Sequence, residues 1–172
     1  QTDGEDLLVQ NVSAQMGETK IHMSGHRLSA GEEKEHTWHV ALKGLHFDDA
    51  MAELISSDRV ATKIWDDLQP SGKSDLKLKL THRNSAGVIA VAEVEGDGLQ
   101  IVGKHFKYPT QILSGKLEFD GKRVLFKDFE GIAGEMRILF SGFAVPEKDG
   151  DKRLTFNLMN AVLDKQFRDA LD

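Results

Sequence analysis

The stretch from Ile112 to Val145 constrains the fold most strongly, because it predicts three consecutive β-strands. The first strand ends at Asp120-Gly121, a dipeptide suited to the positive φ angles of a tight hairpin. A second strand runs from Arg123 to Phe129, and a turn around Gly131 to Gly134 leads into the third. Consecutive strands joined by such short turns pair antiparallel, so this stretch predicts a meander.

The N-terminal part of the chain resembles this stretch at a spacing of 117 residues (141 − 24), which aligns Ser24-Gly25 with Ser141-Gly142. The alignment has six identities in the 23 positions from Asp6 to Leu28, where average residue usage gives about one or two. Trp38 to Val40 match Phe156 to Leu158 after a slip of one residue (156 − 38 = 118), and the helix-like segments that begin at Ala50 and Phe167 align at 117 again (167 − 50). We therefore predict a single β-rich domain over 1–172 with an internal repeat, in which 6–54 resembles 123–171. Alternation shared by two unrelated hairpins is the other explanation.

The rest of the chain predicts further strands and one pair of helices. Phe47-Asp48-Asp49 predicts the start of a helix, and Ser56-Ser57-Asp58 predicts the cap of a second helix that ends at Pro70-Ser71-Gly72. Turns are expected at Gly96-Asp97-Gly98 and in the extended bend Lys107-Tyr108-Pro109. The predicted class is mainly β (α+β): a curved antiparallel meander sheet or a β-sandwich, with one short helical pair and a C-terminal helix. Alternating residues predict these additional strands: Glu18–Gly25, Glu35–Leu45, Leu76–Thr81 and Val88–Glu95.

Alternation also predicts which side chains share a face of the sheet. In the N-terminal strand, which is predicted from Asp6 to Val12, Leu7 and Val9 are expected on one face, with Leu8 and Val12 on the other. Leu76, Leu78 and Leu80 form the clearest apolar face in the chain. Together with the other apolar strands, they supply more aliphatic side chains than a sheet with one polar face needs. Either the sheet curls on itself or it presents an apolar trough.

Composition excludes several classes of function. A net charge of −6 and a pI of about 5.6 argue against a nucleic-acid partner, which requires a concentrated basic face. The chain has no cysteine, which excludes thiolate chemistry and disulfides. The seven histidines lack the spacing of a metal site, and no serine, histidine and acid form a nucleophile motif. We therefore expect no enzyme activity, catalytic residue, metal or cofactor.

The same sequence predicts no membrane span of its own. The longest nearly apolar run, Gly87 to Ala92, is far shorter than the roughly 20 residues of a spanning helix. Gln1 to Glu5 lacks the basic and apolar regions of a signal peptide, so any such segment is expected outside this sequence.

Several phrases of the sequence resemble the repeat of the AsmA-like proteins of the bacterial envelope, the group that includes TamB and YhdP. One phrase runs from Leu113 to Val124, followed by Gly131 to Gly134 and by Ile138-Leu-Phe-Ser-Gly. Another runs from Leu68 to Leu80, a helix followed by a Gly-led amphipathic strand. The two phrases and the weaker N-terminal copy extend the resemblance over about half of the chain or more.

This resemblance implies a long curved sheet whose apolar groove holds lipid acyl chains between the two bacterial membranes. It implies a periplasmic or cell-envelope location, with a membrane tether outside this sequence, and a role in lipid transport and outer-membrane maintenance. An envelope protein partner is possible within that framework. By position, the groove candidates are Leu76, Leu78, Leu80, Met136, Ile138 and Phe140. The alternative is a structural or protein-interaction module without a ligand, in which every apolar strand is core.

Overall fold

The computed structural model describes residues 6–30, 33–84, 87–104, 106–145, 150–162 and 165–170. Within these residues nine strands form one antiparallel sheet, in which each strand pairs with the next along the chain. The predicted mainly-β class, with an antiparallel meander and short helices, is confirmed. The strands are β1 (Leu7–Met16), β2 (Thr19–Ala30), β3 (Glu33–Phe47), β4 (Ser71–Arg83), β5 (Gly87–Gly103), β6 (Phe106–Phe119), β7 (Val124–Ala133), β8 (Met136–Ala144) and β9 (Lys152–Met159).

Two short helices, α1 (Asp49–Ile55) and α2 (Arg59–Leu68), connect β3 to β4, and α3 (Lys165–Asp169) follows β9. The carboxylate of Asp48 accepts a hydrogen bond from the amide of Met51 at 3.1 Å and so caps α1. Asp58 caps α2 in the same way, through the amide of Ala61 at 2.8 Å. None of the helices in the described residues is long and apolar enough to span a membrane.

Several strands contain a register shift that alternation in the sequence does not reveal. In β1 the shift lies between Val9 and Val12, where Asn11 has a φ of 53°. Because the extra residue reverses the alternation, Val12 lies on the same face as Val9, and the prediction that it shares a face with Leu8 is wrong. The other shifts that carry a residue of positive φ lie between Leu42 and Leu45 at Gly44, between Glu95 and Leu99 at Gly96, and between Phe126 and Phe129 at Asp128.

Three predicted turns lie elsewhere in the structure. Gly96 to Gly98 do not end a strand, because β5 continues through them to Gly103 by means of its register shift. Pro109 lies inside β6 rather than at its end. The turn between β7 and β8 is confined to Gly134 and Glu135, because Gly131 to Ala133 still pair with β8.

The two hairpins β1–β2 and β7–β8 have matching geometry at the spacing of 117 residues (128 − 11). The register shift at Asn11 corresponds to the one at Asp128, and the two φ angles are 53° and 50°. Val12 pairs with Met23 as Phe129 pairs with Phe140. The hairpins therefore share their bulge and their register, although most of their residues differ.

The core lies where helices cover one face of β5 to β8. Val60, Ile64 and Leu68 recur at helical spacing along α2 and pack against the buried cluster, and Phe167 of α3 joins it. Ile112 and Ile138 are 1% and 2% exposed, and burying each side chain contributes roughly 1.5–3 kcal/mol. The phenyl rings of Phe129 and Phe140 stack with their centroids 4.6 Å apart.

Candidate functional site: the inner face of the sheet

One lateral row of residues is free of polar side chains across all nine strands. We call the face that carries this row the inner face. Leu78 lies in the middle of the row on β4, and the ends of the row lie on the two edge strands. In order of pairing the row contains Val12, Met23, Val40, Leu78, Ala92, Leu117, Phe126, Gly142 and Leu154.

The opposite, outer face carries many charged side chains, and several of them form ion pairs. Lys77 contacts Glu95 at 3.0 Å, and this hydrogen bond raises the pKa of the lysine. Glu118 accepts hydrogen bonds from Lys127 and Lys116, in that order of importance, and they lower the pKa of its carboxyl group. Such exposed pairs stabilise the fold little, but they make the outer face a solvated surface.

The helices divide the inner face into two sections. The covered section lies on β5 to β8, beneath α2 and α3. The open section lies on β1 to β4, where Leu78 and Leu80 are half-buried. Toward the β1 edge the apolar side chains become more exposed, with Val12 at 41% and Leu7 at 52%.

All six predicted groove residues lie on the inner face, but in different sections. Leu78 and Leu80 belong to the open section, while Leu76 packs against the edge of the buried cluster. Met136, Ile138 and Phe140 are buried in the covered section, at 4%, 2% and 8% exposure. The two groups are four strands apart, about 19 Å along a sheet with strands about 4.8 Å apart. The structure therefore does not bring them together in one open groove.

The covered section contains an apolar cavity of about 130 Å³ between α2 and β7 to β9. An apolar cavity of similar size, about 150 Å³ in another protein, stays dry and binds benzene. Sequence patterns did not identify this cavity, because its wall joins α2 to strands far away in the chain. Among the described residues the lining consists of Val60, Ile64, Leu68, Gly103, Val124, Phe126, Phe140, Ala144 and Leu154, together with the charged residues Lys63, Asp67, Lys104 and Lys152.

A second, smaller apolar cavity of about 60 Å³ lies beside the first, and Phe140 and Leu68 line both. Its wall also includes Tyr108, whose ring lies 6.1 Å from that of Phe167 in α3. The helices thus leave unfilled space against the sheet. Of the predicted groove residues, Phe140 lines both cavities and Ile138 lines the smaller one.

A wider depression of about 320 Å³ lies on the outer face, around Ala41. In its wall the hydroxyl of Ser13 lies 2.9 Å from Nδ1 of His22. Within the described residues His22 makes no hydrogen bond to a carboxylate, so the orienting group of a catalytic triad is not in place. No group of three potential ligands that could hold a metal ion occurs in the described part of the chain. The depression therefore does not suggest catalysis.

Comparison with models of protein families, with curated proteins and with solved structures gives no match for this chain. The function is therefore argued from the geometry of the inner face.

Proposed function

We propose that this chain binds lipid acyl chains on the inner face of its sheet and serves in lipid handling in the bacterial cell envelope, without catalysing a reaction. The observation that carries the proposal is the apolar row that crosses all nine strands. In the open section this row offers an accessible hydrocarbon surface, and beneath α2 it lines the apolar cavity, while the charged outer face keeps the sheet solvated. The resemblance to AsmA-like proteins supports the same function, a periplasmic location and a membrane tether outside this sequence.

The two sections of the inner face contribute differently to binding. In the open section an acyl chain covers half-buried leucines without moving any helix. In the covered section the cavity beneath α2 accepts part of a chain, because most of its lining residues are apolar and charged residues complete its wall. Each methylene group removed from water contributes about 0.8 kcal/mol, so contact with several of them gives measurable binding.

The test is native mass spectrometry of the protein purified from bacteria, followed by extraction and identification of bound molecules. We expect co-purified phospholipid, or uptake of added phospholipid. Leu78→Asp should abolish binding in the open section. Lys79→Asp, which places the same carboxylate on the outer face of the same strand, should retain it. Leu154 lines the cavity but is 43% exposed, so Leu154→Asp should fold and lose binding beneath α2, with Arg153→Asp as its control.

One observation favours the alternative of a protein-interaction module. The edge strand β9 is exposed along its whole length, and Leu154, Phe156 and Leu158 are 43%, 46% and 37% exposed. An exposed apolar edge strand can pair with a strand of another protein, which here would be an envelope protein. A clean mass without bound lipid, and no uptake of added lipid by the unmodified protein, would overturn the lipid proposal and leave this alternative.

A further inference from the structure

The open section of the inner face ends in a group of nitrogen-bearing side chains. Arg27 on β2 pairs with His36 on β3, which pairs with His82 on β4. Residues that pair in this way on one face lie about 5 Å apart, and the rings of His36 and His82 are 6.0 Å apart. We call these three residues the basic end. It adjoins the apolar surface directly, because Leu80 precedes His82 on the same face of β4.

Arg27 carries a buried donor for which the described residues provide no partner. Its Nε atom is shielded from water and makes no hydrogen bond within the described residues. A buried, unpaired donor on a charged group costs stability, so in native proteins such a donor usually finds a partner, which can be a ligand, an ion or an ordered water. A guanidinium group also matches the planar geometry of a carboxylate or phosphate, which can accept two of its hydrogen bonds.

Among the described residues, the two charged side chains next in sequence to His36 and His82 do not face the basic end. Glu35 and Arg83 lie beside it in sequence, but their side chains are on the outer face and contact each other at 2.7 Å. Lys34 lies two residues before His36 on β3, also on the inner face. It is exposed and adds a positive charge beside the basic end. In a chain with a net charge of −6, a group of nitrogen donors at the end of an apolar face is a local feature rather than a general property of the surface.

We infer that the basic end binds the anionic headgroup, a phosphate or carboxylate, of a lipid whose acyl chain lies over Leu80 and Leu78. This inference rests on the proposed function and specifies its ligand class and the orientation of the ligand. From His82 to Leu76 the strand extends about 20 Å, at about 3.3 Å per residue. That length exceeds the roughly 15 Å of one acyl layer in a bilayer with a hydrocarbon core about 30 Å thick. The headgroup contacts Arg27 and the two imidazoles while the chain follows β4.

The test compares three probes that separate the two parts of the ligand: lysophosphatidic acid, a monoacylglycerol with the same acyl chain, and glycerol 3-phosphate. Binding is measured by calorimetry below the aggregation concentration of each lipid. We expect lysophosphatidic acid to bind at least about tenfold more tightly than the monoacylglycerol, since a charge-assisted hydrogen bond is worth about 1.5–3 kcal/mol. Glycerol 3-phosphate should bind far more weakly than either lipid.

Variants test whether the basic end causes the difference in affinity between lysophosphatidic acid and the monoacylglycerol. Arg27→Gln should reduce the affinity for lysophosphatidic acid about tenfold and leave monoacylglycerol binding unchanged. Arg153→Gln removes the same charge from the outer face of β9 and should change neither affinity. His82 is exposed, so His82→Gln provides a second variant that should fold, with an expected loss of about fivefold for lysophosphatidic acid alone.

The outcomes distinguish this inference from the proposed function. Equal binding of both lipids, or unchanged lysophosphatidic acid affinity in both basic-end variants, would overturn the headgroup site while leaving acyl-chain binding in place. Glycerol 3-phosphate binding as tightly as lysophosphatidic acid would identify a site for free phosphate esters and overturn the lipid assignment. If neither lipid binds, the proposed function itself fails, and the headgroup inference fails with it.

Discussion

The ring of Phe129 on β7 lies directly on Gly115 of β6, so that a β-carbon at position 115 would overlap it. Trp38 covers Gly25 in the same way across β2 and β3. In both pairs the missing side chain of the glycine provides the space that the aromatic ring fills. Close aromatic packing on the inner face therefore depends on two small residues.

Gly115→Ala should lower the free energy of unfolding by about 2–3 kcal/mol, because the ring of Phe129 must move within a packed core. Gly134→Ala is the matched control. Its added β-carbon meets nothing within 4 Å, and only its φ of 63° imposes a cost, of about 1 kcal/mol. Urea unfolding measures both values. Equal losses in the two variants would show that the ring of Phe129 is free to shift.

Ile138→Ala and Leu78→Ala should differ clearly in stability. Ile138 is 2% exposed, so its truncation leaves a cavity and should cost about 3–4 kcal/mol. Leu78 is half-buried in the open section, and its truncation should cost about 1 kcal/mol. Chemical denaturation of the lipid-free protein gives both values. A cost for Leu78→Ala as large as that for Ile138→Ala would mean that the open section is covered in solution.

Asp120 should make stability depend on pH. The amide of Arg123, then its side chain and the amide of Lys122, donate hydrogen bonds to the carboxylate and lower its pKa. Because the folded-state pKa lies below the unfolded value of about 3.9, the contribution is complete above that value. It is lost as the pH falls through the lowered pKa.

Asp120→Asn should therefore be less stable than the unmodified protein near neutral pH, by no more than about 1 kcal/mol because the side chain is 40% exposed. The difference should shrink to near zero in acid. Thermal unfolding at a series of pH values measures it, and a difference that stays constant with pH would contradict the assignment.

Arg27→Met should raise the stability of the lipid-free protein by about 1–2 kcal/mol, since it replaces a buried unpaired donor with a hydrocarbon of similar length. Arg153→Met, at an exposed position of β9, should have almost no effect. Thermal unfolding of both variants tests the difference. Destabilisation by Arg27→Met would indicate that the arginine stabilises the fold rather than serving a ligand.

The sequence predicted the features that depend on neighbouring residues. The antiparallel meander and the helix caps at Asp48 and Asp58 follow from alternation, helical spacing and short polar side chains. The bulges were missed, since an extra residue such as Asn11 is recognisable only from the partner strand. Gly96 was interpreted as a turn for the same reason, because a glycine of positive φ serves equally well in a turn and in a bulge.

The sequence could not predict that the inner face divides into an open and a covered section. Leu76 to Leu80 and Met136 to Phe140 show the same alternation, and only the position of α2 and α3 leaves one group half-buried and the other buried. The position of Arg27 on the inner face could have been predicted from the sequence. It continues the alternation of Ile21, Met23 and Gly25, which places an arginine on an apolar face.

The bulges at Asn11 and Asp128 each hold one extra residue in a strand while the apolar side chains on both sides of it stay on the inner face. Both side chains are exposed, but both residues have a positive φ, so Asn, Asp and Gly should be tolerated best at these positions. Removing Asp128 would let Phe126, Lys127 and Phe129 alternate in step with Gly142 to Phe140 on β8, so Phe129 would remain on the inner face. A single-codon loss at either position should therefore leave the hairpin folded, with a regular ladder in place of the bulge.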